Sequence, residues 1–277
     1  MIRQLDHIVI LVPALESAIP DAIAAGFTVV RGGQHATGGT ENALIAFADG
    51  TYVELIAFVD PSRPSTNPWY ERLTLGGGLV DYALLSDHVE ADISRIRNAG
   101  VTMDDAWNLG RRRTDGERTE WTLAMAGHDG LPFLIQDLTP RTLRVPHDPS
   151  EIDHPNGARS VSGVVVLVPD LAAVLDAFAT MTGASGEPVK FSLPGIARAA
   201  TFAVGQDARQ WICVAEPSPH ADDDPAEAAI TAHELATYGP GPFAITLSTA
   251  AGAEPAPPGA GTLLDPARLG SARIFLA

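Results

Sequence analysis

A segment near the start of this chain returns 156 residues further on. LDHIVILVPAL, Leu5 to Leu15, is matched by VSGVVVLVPDL, Val161 to Leu171. Both are β-branched runs that stop at Val-Pro, and a helix-like segment follows each. Proline ends a ladder, and Asp170 or the residues near Ala14 can open the helix. Two such segments in one chain of 277 residues argue for duplicated units rather than one irregular domain.

Each unit has further parts. After Pro13, LESAIPDAIAAG has helical spacing and a glycine stop before FTVV. The stretch GGQHATGGTEN reads as a Gly-rich loop, and ALIAFADG and TYVELIAF as strands joined at Asp49-Gly50, a hairpin signal. Beyond the Pro-rich linker DPSRPSTNP, LVDYALLS reads as a strand and DHVEADISRIRNAG as a helix. Asp87 and Glu90 resemble a capping box there. VTMDDA, EWTLAMAG and LPFLIQDL read as the strands that complete this second unit. A third unit opens at Val161 with the helix LAAVLDAFATMTG and the strands ATFAVG and QWICVAEP. A partial fourth holds PFAITLS and SARIFLA, with a Pro/Gly/Ala loop in place of a helix. Between them ADDDPAEAAITAHELATYG starts as a loop and ends as a short helix.

Composition narrows the function classes. A net charge of −16 repels phosphate backbones, so no nucleic-acid partner is expected; a neutral or cationic small ligand suits it better. The lone Cys213 has no intrachain partner, which suits a reducing compartment. Asp6 and His7 interrupt the apolar N-terminus, so it reads as a first strand and not a signal peptide. No run of eighteen apolar residues appears, so no membrane span and a cytoplasmic location are expected.

LDHIVI, GGQHATGGTENALIAFADGTYVELIAF, LPFLIQ and HPNGARSVSGVVVLVPD together resemble the vicinal-oxygen-chelate superfamily, and within it the glyoxalase-like domain family. The resemblance covers roughly the first 215 residues. It implies an α+β fold of repeated βαβββ units, of the glyoxalase/bleomycin-resistance/extradiol-dioxygenase type, with curled mixed sheets. It divides the chain into a first glyoxalase-like domain at 1–145, with units 1–60 and 78–140. A second, degenerate one follows at 146–277, with unit 158–217 and a partial unit at 240–277. It also implies a cleft holding a divalent metal (Zn, Ni, Mn or Fe) on side chains from the first and last strands of each unit.

Three residues stand at those ligand positions: His7, Glu54 and Gln136. Neutral imidazole is a common transition-metal ligand, though a strand histidine can equally bond within the core. Glu54 lies inside an apolar strand, where a buried carboxylate must be paired, protonated or metal-bound. Alternation sets Tyr52, Glu54 and Ile56 on one strand face. Gln136 is a weaker ligand or a substrate contact, and Tyr82 or Ala83 leaves the remaining position vacant. His35 and His154 are candidates for general base or extra ligand, against the alternative of surface histidines. Asn42 and Thr40 help shape the loop around His35. In the third unit Gly163 falls at the His7 position and Cys213 near the Glu54 position, which leaves no metal site there. Arg111, Arg112 and Arg113 either bind a substrate carboxylate or pair in a solvated loop with Asp115 and Glu117.

The resulting expectation is a metal-dependent lyase, isomerase or dioxygenase acting on a small oxygenated molecule. Glu54 or a histidine would move a proton. The alternative is a metal-free, drug-sequestering protein walled by Trp69, Tyr70, Trp107 and Trp121, or else a non-catalytic module. A homodimer is compatible with each.

Overall fold

The computed structural model describes residues 1–63, 65–127, 130–189, 195–218, 225–250 and 255–277. The first two units build one closed barrel. Its strands are β1 (Ile2–Leu11), β2 (Val30–His35), β3 (Thr40–Ala46), β4 (Tyr52–Phe58), β5 (Gly78–Ser86), β6 (Trp107–Arg112), β7 (Arg118–Ala124) and β8 (Phe133–Asp137). They follow one another around the barrel in the order β1-β4-β3-β2-β6-β7-β8-β5. The helices α1 (Leu15–Ala24), α2 (Tyr70–Leu73), α3 (Val89–Asn98), α4 (Arg141–Arg144) and α5 (Pro149–Ile152) lie between and after these strands. Within each unit the first and last strands pair in parallel, β1 with β4 and β5 with β8, while β1 and β5 join the units antiparallel.

The remaining strands form an open sheet: β9 (Ser160–Leu167), β10 (Glu187–Pro188), β11 (Ile196–Val204), β12 (Gln210–Pro217), β13 (Gly241–Ser248), β14 (Thr262–Leu263) and β15 (Arg273–Leu276). Their order is β10-β11-β12-β9-β13-β15-β14. Helix α6 (Leu171–Thr182) opens on Asp170, whose carboxylate accepts the Ala172 N–H at 2.9 Å. One hydrophobic core runs through both sheets, holding Ile8 and Ile10 of β1 together with Val164 and Val166 of β9. Among the described residues no helix is long and apolar enough to cross a membrane.

Three local expectations are corrected. The Gly-rich stretch is loop only at 36–39: β2 runs through Gly32 and Gly33 to His35, and β3 begins at Thr40. A Cβ on Gly33 would lie 2.1 Å from the Arg112 carbonyl oxygen, so backbones approach there as only glycine permits. VTMDDA supplies only an isolated bridge, Met103 to Ala126; the sixth strand is Trp107–Arg112, which carries Arg111 and Arg112. Helix α3 starts at Val89, and its first N–H is capped by Gln136 rather than by Asp87. The acidic connector forms α7 (Pro225–Tyr238), at 14 residues the longest helix described; its 221–224 part lies outside the described residues.

Candidate functional site

The barrel encloses a cavity of about 640 Å³. Alternation along β4 turns Tyr52, Glu54, Ile56 and Phe58 into it, while Val53, Leu55 and Ala57 face the core outside. His7, His35, Asn42, Arg111 and Arg144 join Glu54 on its polar side. Trp121, Trp107, Trp69, Phe133 and Met125 are among its apolar walls.

Glu54 stands between two imidazoles. His7 Nε2 lies 3.6 Å from one carboxylate oxygen and His35 Nε2 lies 3.6 Å from the other. The Asn42 amide donates to Glu54 at 2.6 Å. Burial by itself would raise the Glu54 carboxyl, yet His35, His7, the Asn42 hydrogen bond and Arg111 together hold it below the ordinary value. Desolvation lowers His35, ahead of the opposing attraction of Glu54, which favours the neutral ring. Thr40 Oγ1 meets His35 Nδ1 at 2.8 Å.

His7 is oriented from behind. A register shift in β1 pairs Leu5 with Leu84 and His7 with Ala83, leaving Asp6 as the extra residue. Asp6 is fully buried and meets His7 Nδ1 at 2.6 Å. Its carboxyl resists burial and stays well below the ordinary range because Arg141 and Arg144 bind it. An ionised carboxylate only accepts, so it fixes a proton on Nδ1 and turns Nε2 toward Glu54. Tyr52 stacks on the His7 ring, with centroids 4.6 Å apart, and its hydroxyl accepts from Arg144 at 2.7 Å. Asp6, Arg141 and Arg144 were not singled out in the sequence. The signal was an acidic residue beside His7 in an apolar strand and two arginines three apart after β8.

The structure brings His7, Glu54 and His35 together and leaves Gln136 and His154 elsewhere. Register explains the first exclusion. His7 pairs with Tyr52 and Val9 with Glu54, while in the second unit Ala83 pairs with Phe133 and Leu85 with Ile135. Ile135, not Gln136, is therefore the counterpart of Glu54. Gln136 faces outward, and its amide oxygen accepts the Val89 N–H at 2.8 Å. Ala83 stands opposite His7, while Tyr82 points away and donates to the Gly130 carbonyl. His154 is buried as a clasp: Nδ1 accepts the Thr28 N–H at 3.0 Å and Nε2 meets the Ala46 carbonyl at 3.0 Å.

The arginine cluster divides. Arg113 pairs with Asp115 at 2.8 Å, as in the solvated-loop alternative, while Arg111 turns into the cavity and is 3% exposed. Trp69, Trp107 and Trp121 line the cavity as the ligand-wall alternative has them. Tyr70 packs against Phe58 at its margin.

In the open sheet the corresponding position is filled, among the described residues, by an indole ring. Trp211 pairs with Gly163 and Cys213 with Val165, so Gly163 and Cys213 match His7 and Glu54 in register. A Cβ on Gly163 would lie 2.2 Å from the Trp211 ring, which fills the volume an imidazole would need. Leu235 of α7 packs on the same apolar face. Burial pushes the Cys213 thiol up, which removes thiolate character.

The chemistry of the cavity's donor set fits a divalent metal in kind: two imidazoles and a carboxylate, a composition used by iron and other divalent ions. Glu54 offers one oxygen to each ring, so the trio flanks the carboxylate. Among the described residues no three such groups enclose an ion as they stand.

A comparison with curated proteins finds no match. Among solved structures, a hypothetical protein from Staphylococcus aureus shares 13% identity with a TM-score of 0.66, covering 99% of each chain. A mutant 4-hydroxymandelate synthase from Streptomyces coelicolor shares 12% identity with a TM-score of 0.62. That alignment covers 90% of this chain and 71% of the synthase. A fusion of a xylose isomerase-like TIM barrel with 4-hydroxyphenylpyruvate dioxygenase shares 15% identity with a TM-score of 0.50. It covers 90% of this chain and 36% of the fusion. At these identities the likeness is one of fold. Residues 5–182 match the family described as glyoxalase-like domain, which takes in β1 from Leu5, the other seven barrel strands and β9. This chain belongs to the glyoxalase-like domain family.

Proposed function

We propose that the barrel is a small-molecule enzyme of the lyase, isomerase or dioxygenase kind, with His7, His35 and Glu54 as ligands for one divalent metal. The observation that carries this reading is the pair of imidazole Nε2 atoms, each 3.6 Å from an oxygen of the buried Glu54. Each ring's other nitrogen is already engaged, by Asp6 or by Thr40. That is the outer-shell arrangement metal-binding histidines use. Closing the set on one ion requires both rings to turn toward a common point beside Glu54.

A metal held there would act as a Lewis acid on a carbonyl or enediolate oxygen. Glu54, kept ionised, can take a proton from a substrate carbon presented across the cavity, and Asn42 steadies the carboxylate while it does so. The apolar walls exclude water from that transfer. His35 supplies the second imidazole that oxygen chemistry needs beside His7 and a carboxylate.

A second reading, a metal-free binder, is favoured by one observation: the second unit's two ligand positions hold Ala83 and Ile135, which cannot ligate. Metal content decides between the two. Protein purified without chelator or histidine tag is expected to carry near-stoichiometric metal, lost in His7→Ala, His35→Ala and Glu54→Ala. No uptake after incubation with zinc, nickel, manganese and ferrous iron would sink the enzyme mechanism and leave the binder.

A further inference from the structure

Arg111 is a cavity charge without a direct ion pair: the ionised Glu54 acts on it only across the Asn42 amide. Arg144 has its charge met by Asp6 and Asp137. Arg111 Nη1 donates to Asn42 Oδ1 at 3.0 Å and Nη2 to the Arg144 carbonyl at 3.0 Å, both neutral acceptors. Its Nε is buried with no hydrogen-bond partner, and among the described residues no carboxylate lies within 4.0 Å of the guanidinium. An arginine cannot shed its charge in a protein, and a buried guanidinium that no carboxylate touches keeps part of its desolvation cost. The fold makes room for this group: a Cβ on Gly32 would lie 2.3 Å from Arg111 Nη1 and 2.1 Å from Asn42 Oδ1. Glycine at that inward position lets the guanidinium and the amide lie over β2. Aromatic walls share the cavity with it: Trp107 on the same strand, Trp121 on the neighbouring β7, and Phe133 on β8.

From this juxtaposition we infer that Arg111 anchors the carboxylate of the cavity's ligand, and that the ligand is a small organic acid with an apolar, ring-sized body. The guanidinium lines the cavity with its Nε unpaired, a donor to spare for an anion drawn against it, and the rings take the remainder by stacking and burial. An acidic surface with a buried cationic anchor slows the approach of such an anion but rewards its arrival. The inference rests on the cavity being the ligand site, as proposed above, and does not require the metal.

The test uses the full chain treated with chelator, so that no metal can hold a carboxylate. Phenylalkanoic acids with one to four chain carbons are titrated against their neutral amides, with tryptophan fluorescence and calorimetry as readouts. At least one acid is expected to bind about 10- to 100-fold tighter than its amide, the range of a charge-assisted hydrogen bond. Arg111→Gln should erase the difference while leaving the amide's affinity within about threefold, and Arg111→Lys should keep part of it. Equal affinity of acids and amides, or no saturable binding of either, overturns the inference. So does an acid preference that appears only after metal is restored; that outcome would leave the metal reading standing. An acid preference in a protein that takes up no metal would support the anchor and remove the metal reading.

Discussion

Ile135 occupies in β8 the register position that Glu54 occupies in β4. Each is paired two residues beyond the strand position held by His7 in one unit and Ala83 in the other. The barrel is thus built from two equivalent halves, of which the first carries His7, His35, Asn42 and Glu54 and the second contributes Arg111 to the cavity. His35 of β2, on the same half as Glu54, faces that carboxylate's second oxygen.

Replacing Ile135 with glutamate restores the lost symmetry at the cost of an unpaired carboxylate in an apolar pocket. Ile135→Glu is expected to lose about 3 kcal/mol of stability in chelator, measured by urea denaturation. Divalent metal should recover part of that loss, because metal binding to the folded form adds to stability. An Ile135→Gln control should lose stability without metal-dependent recovery.

In the open sheet, Gly163→Ala sets a methyl against the Trp211 ring and is expected to cost about 1–3 kcal/mol. Trp211→Ala opens the opposite defect, a cavity costing about 3–5 kcal/mol. The double variant should be less destabilised than the sum, since each relieves the other's misfit. Strict additivity in thermal or urea unfolding would argue against this packing.

Asp81, on β5, is pushed up to about 7 by burial, against the opposing Tyr82 N–H and Trp69 side-chain hydrogen bonds. A carboxyl whose folded value lies above its unfolded value of 3.8 stabilises fully below that lower value. That contribution is lost as pH rises toward and through about 7. Asp81→Asn should therefore be near neutral at pH 4 and more stable than the parent by about 4 kcal/mol at pH 8. The fluorescence of Trp69, which lines the cavity, should titrate near pH 7 in the parent and stay flat in the variant.

His154→Ala removes the clasp between Thr28 and Ala46. It should cost about 1–3 kcal/mol, with metal content and ligand affinity unchanged. Loss of metal in this variant, in protein that remains folded by circular dichroism, would return His154 to the site.

Asp6→Asn tests the support behind His7. The Asp6 carboxyl is held well below 3.8, so its stabilisation is present above that value and disappears as pH falls through the folded value. Asparagine leaves Arg144 buried against a neutral amide, and about 3–5 kcal/mol should be lost at neutral pH. The variant's denaturation curve should consequently depend less on pH on the acid side.

The residues that the sequence alone determined are those whose chemistry conflicts with a local pattern. The repeat at 156 residues established equivalence between β1 and β9, and the pairing of Gly163 with Trp211 follows it residue for residue. Period-two alternation was enough to turn Glu54 inward with Tyr52 and Ile56. What tertiary structure decided was register and closure. A one-residue difference in β8 carries Gln136 to the helix side and Ile135 into the barrel, because side chains alternate and no local signal fixes their phase. Gly32 and Gly33 look like loop residues until β2 must pass close beneath Asn42, Arg111 and the Arg112 carbonyl. Arg111 and Arg113 differ by two positions in the chain. The first nevertheless enters the cavity and the second pairs with Asp115 outside, because pairing of β6 with β2 closes the barrel at that point.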